Sequence, residues 1–181
     1  VTGVQTCALP ICAVSAKYNG GGLGGDISGS TLFRTYATGN VTEINDLSTT
    51  VQLMAGLLGG AGRNGSTVSS VSQSYATGNV SAPNGNYVAG LIGRSSGENA
   101  SNLMTLQNTF ASGNVNGKWQ VGSLLGEATA MNIINSYGAG TISHSGGAGG
   151  GLLGQSGGNL NITNTYWNST PNSSYLPGAY G

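Results

Sequence analysis

The residues that could support acid–base catalysis are few and scattered along this chain. Five residues are acidic and five are basic: Asp26, Glu43, Asp46, Glu98, Glu127, Lys17, Arg34, Arg63, Arg94 and Lys118. Lyases and glycosidases need two acids, or an acid with Lys or Arg, held close together. No two carboxylates recur here at a spacing that would bring them together. Arg63 and Arg94 could stack on each other in a repeating chain, but without carboxylate partners they make a weak catalytic pair. We therefore expect no catalytic residue and no cofactor.

Metal-binding residues are equally sparse. His144 is the single histidine, so a site with several histidines is impossible and a surface histidine is the simpler interpretation. The segment Gly21-Gly22-Leu23-Gly24-Gly25-Asp26 fits the start of a calcium-binding nonapeptide repeat, G-G-x-G-x-D. That repeat binds calcium through tandem copies, and no other copy here has an aspartate at the equivalent place. Asp26 is therefore a weak calcium candidate, and we expect no metal site.

The two cysteines lie in a segment whose composition differs from the rest. Cys7 and Cys12 are spaced C-x4-C, which could form a disulfide or contribute to a metal site. However, residues 1–11 resemble the conceptual translation of a sequencing-library adapter, without a mismatch. That resemblance implies that residues 1–12 are a non-native, adapter-derived segment and that the natural start of the protein is missing. The remaining chain is free of cysteine.

Composition favours an all-β chain without a nucleic-acid partner. Only 6% of the residues are charged and the formal net charge is zero, whereas binding to phosphates needs a basic surface. The chain has 34 glycines, which disfavour helices, and 38% hydrophobic residues in short β-branched runs. No run of 18 apolar residues is present, so we expect no transmembrane segment.

Two short motifs alternate along the chain and reveal an internal repeat. The first has two aliphatic residues before a glycine and occurs as Gly56-Leu57-Leu58-Gly59, Gly90-Leu91-Ile92-Gly93, Ser123-Leu124-Leu125-Gly126 and Gly151-Leu152-Leu153-Gly154. A degenerate first copy is Gly22-Leu23-Gly24-Gly25. The second motif occurs as Tyr36-Ala37-Thr38-Gly39-Asn40-Val41, Tyr75-Ala76-Thr77-Gly78-Asn79-Val80, Phe110-Ala111-Ser112-Gly113-Asn114-Val115 and Tyr137-Gly138-Ala139-Gly140-Thr141-Ile142. The first leucines are spaced by 34, 34, 33 and 28 residues.

A period near 30 residues predicts one coil of a β-solenoid, with about three short strands in each coil. Such coils stack about 4.8 Å apart, so equivalent residues form rows along the axis. We expect two internal aliphatic rows: Leu57, Leu91, Leu124 and Leu152, and Val41, Val80, Val115 and Ile142. The second aliphatics (Leu58, Ile92, Leu125 and Leu153) either face outward under a covering segment or sit at a bend where both residues turn inward.

Two further rows could be structural or could bind a ligand. Asn40, Asn79 and Asn114 could form a ligand-binding row of amides. We favour a turn in which stacked side-chain amides bond to one another and asparagine adopts left-handed backbone. The aromatic row (Tyr36, Tyr75, Phe110, Tyr137 and Tyr166) could stack against the wall or offer a sugar-binding platform, and we favour the stack.

These motifs resemble the GLUG repeat, named for its G-L-x-G element and usually followed by an S-Y-A-T-G-x-V segment. The match is carried by Gly90-Leu91-Ile92-Gly93 and by Ser74-Tyr75-Ala76-Thr77-Gly78-Asn79-Val80. The final Tyr166-Trp167-Asn168 is similar to the Y-W-N/D element that often closes such arrays. The resemblance implies a right-handed parallel β-helix (β-solenoid) of about five coils over residues 20–170. Residues 171–181 would be a polar tail or a truncated continuation.

Two departures from the repeat affect its register. Gly24 stands where the second aliphatic belongs in the first copy, and 39 residues separate Tyr36 from Tyr75. The segment from Glu43 to Leu53 is therefore expected to be an outward loop.

The resemblance also carries a functional expectation. GLUG repeats occur in large bacterial surface proteins, including filamentous-haemagglutinin-like adhesins and the non-catalytic parts of some immunoglobulin A proteases. The leading hypothesis is a non-catalytic, adhesive stalk segment of a secreted or cell-surface bacterial protein. Its partners would be flanking repeats of the same chain and, through the full-length protein, a surface protein or glycan of a host or neighbouring cell. The alternatives are an accessory region of a secreted peptidase and a polysaccharide-binding β-helix.

Overall fold

The computed structural model describes residues 13–44, 52–172 and 174, and all regular structure in that part of the chain is β. Its strands form five coils with the same order of strands in each, as a parallel β-helix requires. The prediction of an all-β solenoid of about five coils is confirmed.

Five strands recur in each coil. Coil 1 has β1 (Val14–Ala16), β2 (Asn19–Gly21), β3 (Gly24–Ser28), β4 (Thr31–Phe33) and β5 (Tyr36–Ala37). Coil 2 has β6 (Val41–Glu43), β7 (Leu53–Ala55), β8 (Leu58–Asn64), β9 (Thr67–Val68), β10 (Ser70–Ser72) and β11 (Tyr75–Ala76). Coil 3 has β12 (Val80–Ser81), β13 (Tyr87–Ala89), β14 (Ile92–Ser96), β15 (Met104–Gln107) and β16 (Phe110–Ala111). Coil 4 has β17 (Val115–Gly117), β18 (Val121–Gly122), β19 (Leu125–Thr129), β20 (Met131–Ile134) and β21 (Tyr137–Gly138). Coil 5 has β22 (Ile142–His144), β23 (Gly149–Gly150), β24 (Leu153–Ser156), β25 (Leu160–Thr163) and β26 (Tyr166–Trp167).

Strands at the same place in successive coils pair in parallel, which produces five sheets along the axis. Named A to E in chain order, the sheets are β1-β6-β12-β17-β22, β2-β7-β13-β18-β23, β3-β8-β14-β19-β24, β4-β10-β15-β20-β25 and β5-β11-β16-β21-β26. One strand departs from this pattern, since β9 folds back antiparallel on the end of β8 across Gly65. The expectation of three strands per coil was wrong, because the glycine-rich corners divide each coil into five shorter strands.

The core fills the interior in two clusters. Most of it lies between sheets C, D and E, where the leucines of the first motif pack with Val71, Leu106 and Ile133. A smaller cluster lines sheets A and B and includes Val41, Val80, Val88, Val115 and Val121. Coils 2 to 4 contribute apolar side chains to both clusters, and Leu23 of coil 1 and Leu152 and Leu153 of coil 5 continue the larger cluster, so the core extends along the axis.

The first motif forms the corner between sheets B and C. In coil 2, sheet B ends at Ala55 and sheet C starts at Leu58, and the N–H groups of Leu57 and Leu58 both donate to the carbonyl of Leu91, at 3.0 and 3.1 Å. This bend breaks the alternation of strand side chains, so both leucines turn inward and are buried. The same holds for the pairs in coils 3, 4 and 5, and the bend is the correct alternative for the second aliphatics.

The segment from Glu43 to Leu53 does not behave throughout as an outward loop. Glu43 ends β6, Leu53 begins β7, and both side chains are buried. Residues 45–51 of this segment lie outside the described residues. So do residues 1–12, with Cys7 and Cys12, and the tail at 173 and 175–181.

The described residues contain no helix with the length and hydrophobicity needed to cross a membrane.

Candidate functional surface: the stacked side-chain rows

The two aliphatic rows lie where the repeat predicts them. Leu57, Leu91 and Leu124 are fully buried and Leu152 is nearly so. Val41, Val80, Val115 and Ile142 are direct partners in sheet A and are also buried. Burying an aliphatic side chain contributes about 1.5–3 kcal/mol, so these rows are a main source of stability.

The second motif carries a row of buried hydroxyls, which sequence reasoning missed. Thr35, Ser74, Thr109 and Ser136 are each at most 4% exposed. The hydroxyls bond in pairs: Thr35 Oγ1 donates to Ser74 Oγ at 3.0 Å, and Thr109 Oγ1 lies 2.9 Å from Ser136 Oγ. The signal was the alternation of Thr and Ser immediately before each aromatic residue. Ser74 Oγ and Ser136 Oγ in turn donate to the backbone carbonyls of Ser72 and Ile134, so these buried hydroxyls are hydrogen-bonded within the wall.

The asparagine row bonds differently from the prediction. Asn40 Oδ1 accepts the backbone N–H of Asn79 at 2.9 Å, and Asn79 Oδ1 accepts that of Asn114 at 2.8 Å. Asn114 Oδ1 continues the series with the N–H of Thr141. The bonds join side chain to backbone, and none of the three asparagines is among the described residues with positive φ. The prediction of amide–amide bonding in left-handed backbone was therefore wrong for this row.

Side-chain bonding between coils and left-handed backbone both occur in another row, formed by the residue just before each buried hydroxyl. Arg34, Gln73, Asn108, Asn135 and Asn164 all have φ between 46° and 54°. Here the side chains bond from coil to coil: Arg34 Nε donates to Gln73 Oε1 at 3.0 Å, and Asn135 Nδ2 donates to Asn108 Oδ1 at 3.1 Å. Asn164 extends the series to Asn135 at 3.2 Å. Left-handed backbone recurs because this residue turns the chain from sheet D into sheet E.

The aromatic row lies on the outer face of sheet E. Its members pair in register from Tyr36 to Tyr166, and the rings of Tyr36, Tyr75 and Phe110 are stacked. Ring centroids are 5.1 and 4.7 Å apart, with planes within 7° of parallel. Because neighbouring rings cover one another's faces, this stack offers edges to solvent, whereas a sugar packs on a ring face. The geometry favours the structural interpretation of the row.

A row on the outer face of sheet C carries charged side chains. Its members pair in register: Asp26, Gly60, Arg94, Glu127 and Gln155. Arg94 Nε lies 3.7 Å from Glu127 Oε2, and Arg63 lies 3.5 Å from Glu98. The expectation that the two arginines lack carboxylate partners was therefore wrong. The possible stacking of Arg63 on Arg94 is not found, because Arg94 is in register with Gly60.

Tyr87 joins this charged row from sheet B. Its ring centroid is 5.3 Å from the guanidinium carbon of Arg94. Burial raises the pKa of the Tyr87 phenol, and the charge of Glu127 and its hydrogen bond raise the pKa further, while Arg94 opposes them. Raising the pKa favours the neutral phenol.

A groove of about 300 Å³ opens above Gly60, between Asp26 and Arg94. It exists because Gly60 has no side chain between two charged neighbours. Asp26 and Glu127 are three coils apart in this row, roughly 14 Å at 4.8 Å per coil, beyond the 5–9.5 Å that separates glycosidase carboxylates.

Asp26 itself is exposed and lies in β3, so the G-G-x-G-x-D segment forms a strand here rather than a calcium-binding turn. No group of three metal-ligating His, Cys, Asp or Glu side chains occurs among the described residues.

His144, at the end of β22, is half-buried, and its Nδ1 lies 3.1 Å from the carbonyl oxygen of Gly146.

Searches against protein-family models, curated proteins and solved structures found no match to this chain.

Proposed function

We propose that this chain is a non-catalytic stalk segment of a secreted or cell-surface bacterial protein, where it holds an adhesive region away from the cell. The observation that carries the proposal is the continuity of the five sheets along one axis. Each coil adds about 4.8 Å of length and repeats the same core, so a longer array extends the reach without a new fold.

The surface rows support the same function. Hydroxyls, amides and aromatic rings bond or stack with the equivalent residue in the next coil, so many polar groups of the wall stabilise the stack itself. A rigid spacer needs such contacts between coils, because they resist bending and local opening.

Two alternatives make different predictions. An accessory region of a secreted peptidase would be encoded beside a catalytic domain in the same reading frame. A polysaccharide-binding β-helix would use exposed ring faces or ordered carboxylates along one wall. The Tyr75 ring is covered on both faces, by Tyr36 and Phe110, which favours the stalk over this alternative.

Small-angle X-ray scattering on the chain and on a version with coils 3 and 4 (residues 80–141, including the turn that leads into the next coil) duplicated tests the stalk geometry. The maximum dimension should increase by about 10 Å, two coils at 4.8 Å each, while the cross-sectional radius stays constant. An increased cross-section or aggregation would contradict extension along one axis.

The adhesive role needs a separate measurement. Long-read sequencing of the gene should recover more repeats, a secretion signal and an anchoring or adhesin region. A peptidase domain in the same frame would instead support the accessory region. Binding of the purified chain to a glycan array would support the polysaccharide-binding β-helix.

A further inference from the structure

One acidic side chain points into the solenoid rather than out of it. In β6 the burial pattern alternates, with Val41 and Glu43 inward and Thr42 outward, and Glu43 is 8% exposed. Its partner in coil 1 is Ala16, and Ala82 follows the strand paired with β6 in coil 3. These small neighbours leave room for a carboxylate inside the corner between sheets A and B.

The Glu43 carboxylate is only half satisfied in this position. Its Oε2 accepts the backbone N–H of Asn84 at 2.9 Å, but its Oε1 is buried without a hydrogen-bond partner among the described residues. A buried charged oxygen without a partner is costly, and native structures rarely retain one without a water or an ion.

A second unsatisfied oxygen lies at the same corner. Gln52, immediately before β7, is 1% exposed, and its Nε2 donates to the Lys17 carbonyl at 3.2 Å. Its Oε1 is also buried, and no residue in the described part of the chain forms a hydrogen bond with it. Glu43 ends β6 and Gln52 immediately precedes β7, and each bonds to the equivalent connection between sheets A and B of an adjacent coil: Gln52 to Lys17 in coil 1 and Glu43 to Asn84 in coil 3.

We propose that Glu43 Oε1 and Gln52 Oε1 bind a hard, oxygen-preferring cation, Ca²⁺ or Na⁺, within this corner. A carboxylate and an amide carbonyl are ligands that such cations take, with water completing the coordination. One cation would neutralise the buried carboxylate and satisfy both unpaired oxygens.

Titration of the chelator-treated full chain in sodium-free buffer tests this site. Isothermal titration calorimetry with CaCl₂ and with NaCl should give one saturable cation per chain. Thermal melts should show a Tm increase of roughly 5–10 °C at a hundred-fold excess over Kd. The two salts distinguish the two cations, and MgCl₂ should act more weakly because Mg²⁺ demands a stricter octahedral shell. A Tm independent of every cation would mean that water fills the site, and would overturn the proposal.

Three variants test whether cation binding and the Tm increase depend on Glu43 Oε1 and Gln52 Oε1. Glu43→Gln should abolish saturable binding, and Gln52→Met, which keeps the volume but removes the acceptor, should weaken it at least ten-fold. Asp26→Asn removes the exposed carboxylate of the G-G-x-G-x-D segment and should leave the response unchanged. Binding that survives in Glu43→Gln, or is lost in Asp26→Asn, would overturn the assignment. If Glu43→Gln does not fold, Gln52→Met decides the matter, since unchanged affinity in that variant would overturn it equally.

Discussion

Ser123 and Gly138 occupy facing positions in coil 4, and a methyl group added to Gly138 would overlap the hydroxyl of Ser123. In the three preceding coils the same two places hold glycine and alanine: Gly22 with Ala37, Gly56 with Ala76, and Gly90 with Ala111. In coil 4 the larger residue, Ser123, is in the first motif and the glycine is in the second, the reverse of the other three coils. The buried Ser123 hydroxyl also donates to the carbonyl of Gly151 in the next coil.

This relationship predicts strong coupling between the two positions. Gly138→Ala alone should cost about 1–3 kcal/mol through overpacking, and Ser123→Gly alone should cost about 1–3 kcal/mol by removing a buried hydrogen bond. The double variant restores the arrangement of coils 1 to 3 and should be more stable than the sum predicts, by at least about 1 kcal/mol. Urea denaturation of the four proteins measures this coupling. Additivity within about 0.5 kcal/mol would show that the two residues do not constrain each other.

Leu125 provides the clearest test of the inward bend. It is fully buried, so Leu125→Asp places an unpaired charge in the core and should abolish the cooperative thermal transition. Asn116→Asp is the matched control, because Asn116 is an exposed residue of coil 4 and should change stability by less than about 0.5 kcal/mol. A Leu125→Asp protein that melts like the control would place this leucine on the outer surface.

The sequence predicts a row of this structure when the same type of side chain recurs in each coil, and misses a row in which only the backbone conformation recurs. Leu57 and Val41 recur with their chemistry unchanged, so their burial and stacking followed from the spacing alone. The left-handed turn at Gln73 was missed because its row contains Arg, Gln and Asn, and a conformation shared by different side chains leaves little signal in the sequence. Glu43 was assigned to an outward loop because the 39 residues between Tyr36 and Tyr75 exceed the period of the repeat and indicated an insertion. Its inward orientation depends on register with Ala16, which only the fold supplies.

The left-handed row gives a prediction about backbone strain. Gln73 has φ of 50° and an exposed side chain, so Gln73→Val should cost about 1–2 kcal/mol or more, because a β-branched residue is strained there. Gln73→Asn should be neutral or slightly stabilising, because asparagine tolerates this region and matches the row at Asn108. Chemical denaturation measures both. Equal stability of the Val and Asn variants would contradict the left-handed conformation.

Tyr87 gives a prediction about alkaline pH. Burial and Glu127 raise the pKa of its phenol above the ordinary value of about 10, so the folded state favours the neutral form. The resulting contribution to stability is complete below pH 10 and is lost as the pH rises through the folded pKa. The free energy of unfolding should therefore fall more steeply above about pH 10 in the wild type than in Tyr87→Phe. Parallel curves for the two proteins from pH 8 to 11.5 would contradict it.

Trp167 gives a prediction about the last coil. It pairs with Gly138 in sheet E, at the inward position that holds Ala37, Ala76 and Ala111 in earlier coils, and its indole lies against Gly151. It thus fills the end of the core with a ring too large for any earlier coil. Trp167→Ala should cost about 2–3 kcal/mol, below the usual range for a buried tryptophan because the side chain is half-buried.

Two further variants separate this filling from hydrogen bonding and from surface contacts. The indole Nε1 is buried without a hydrogen-bond partner among the described residues, so Trp167→Phe should cost less than about 1 kcal/mol, since it keeps a ring and removes the unsatisfied donor. Tyr166, the neighbouring aromatic residue, is 63% exposed, and Tyr166→Ala should change stability by less than about 0.5 kcal/mol. Urea denaturation followed by far-ultraviolet circular dichroism avoids the loss of the tryptophan signal. If the alanine variants at 166 and 167 prove equally stable, Trp167 does not close the core.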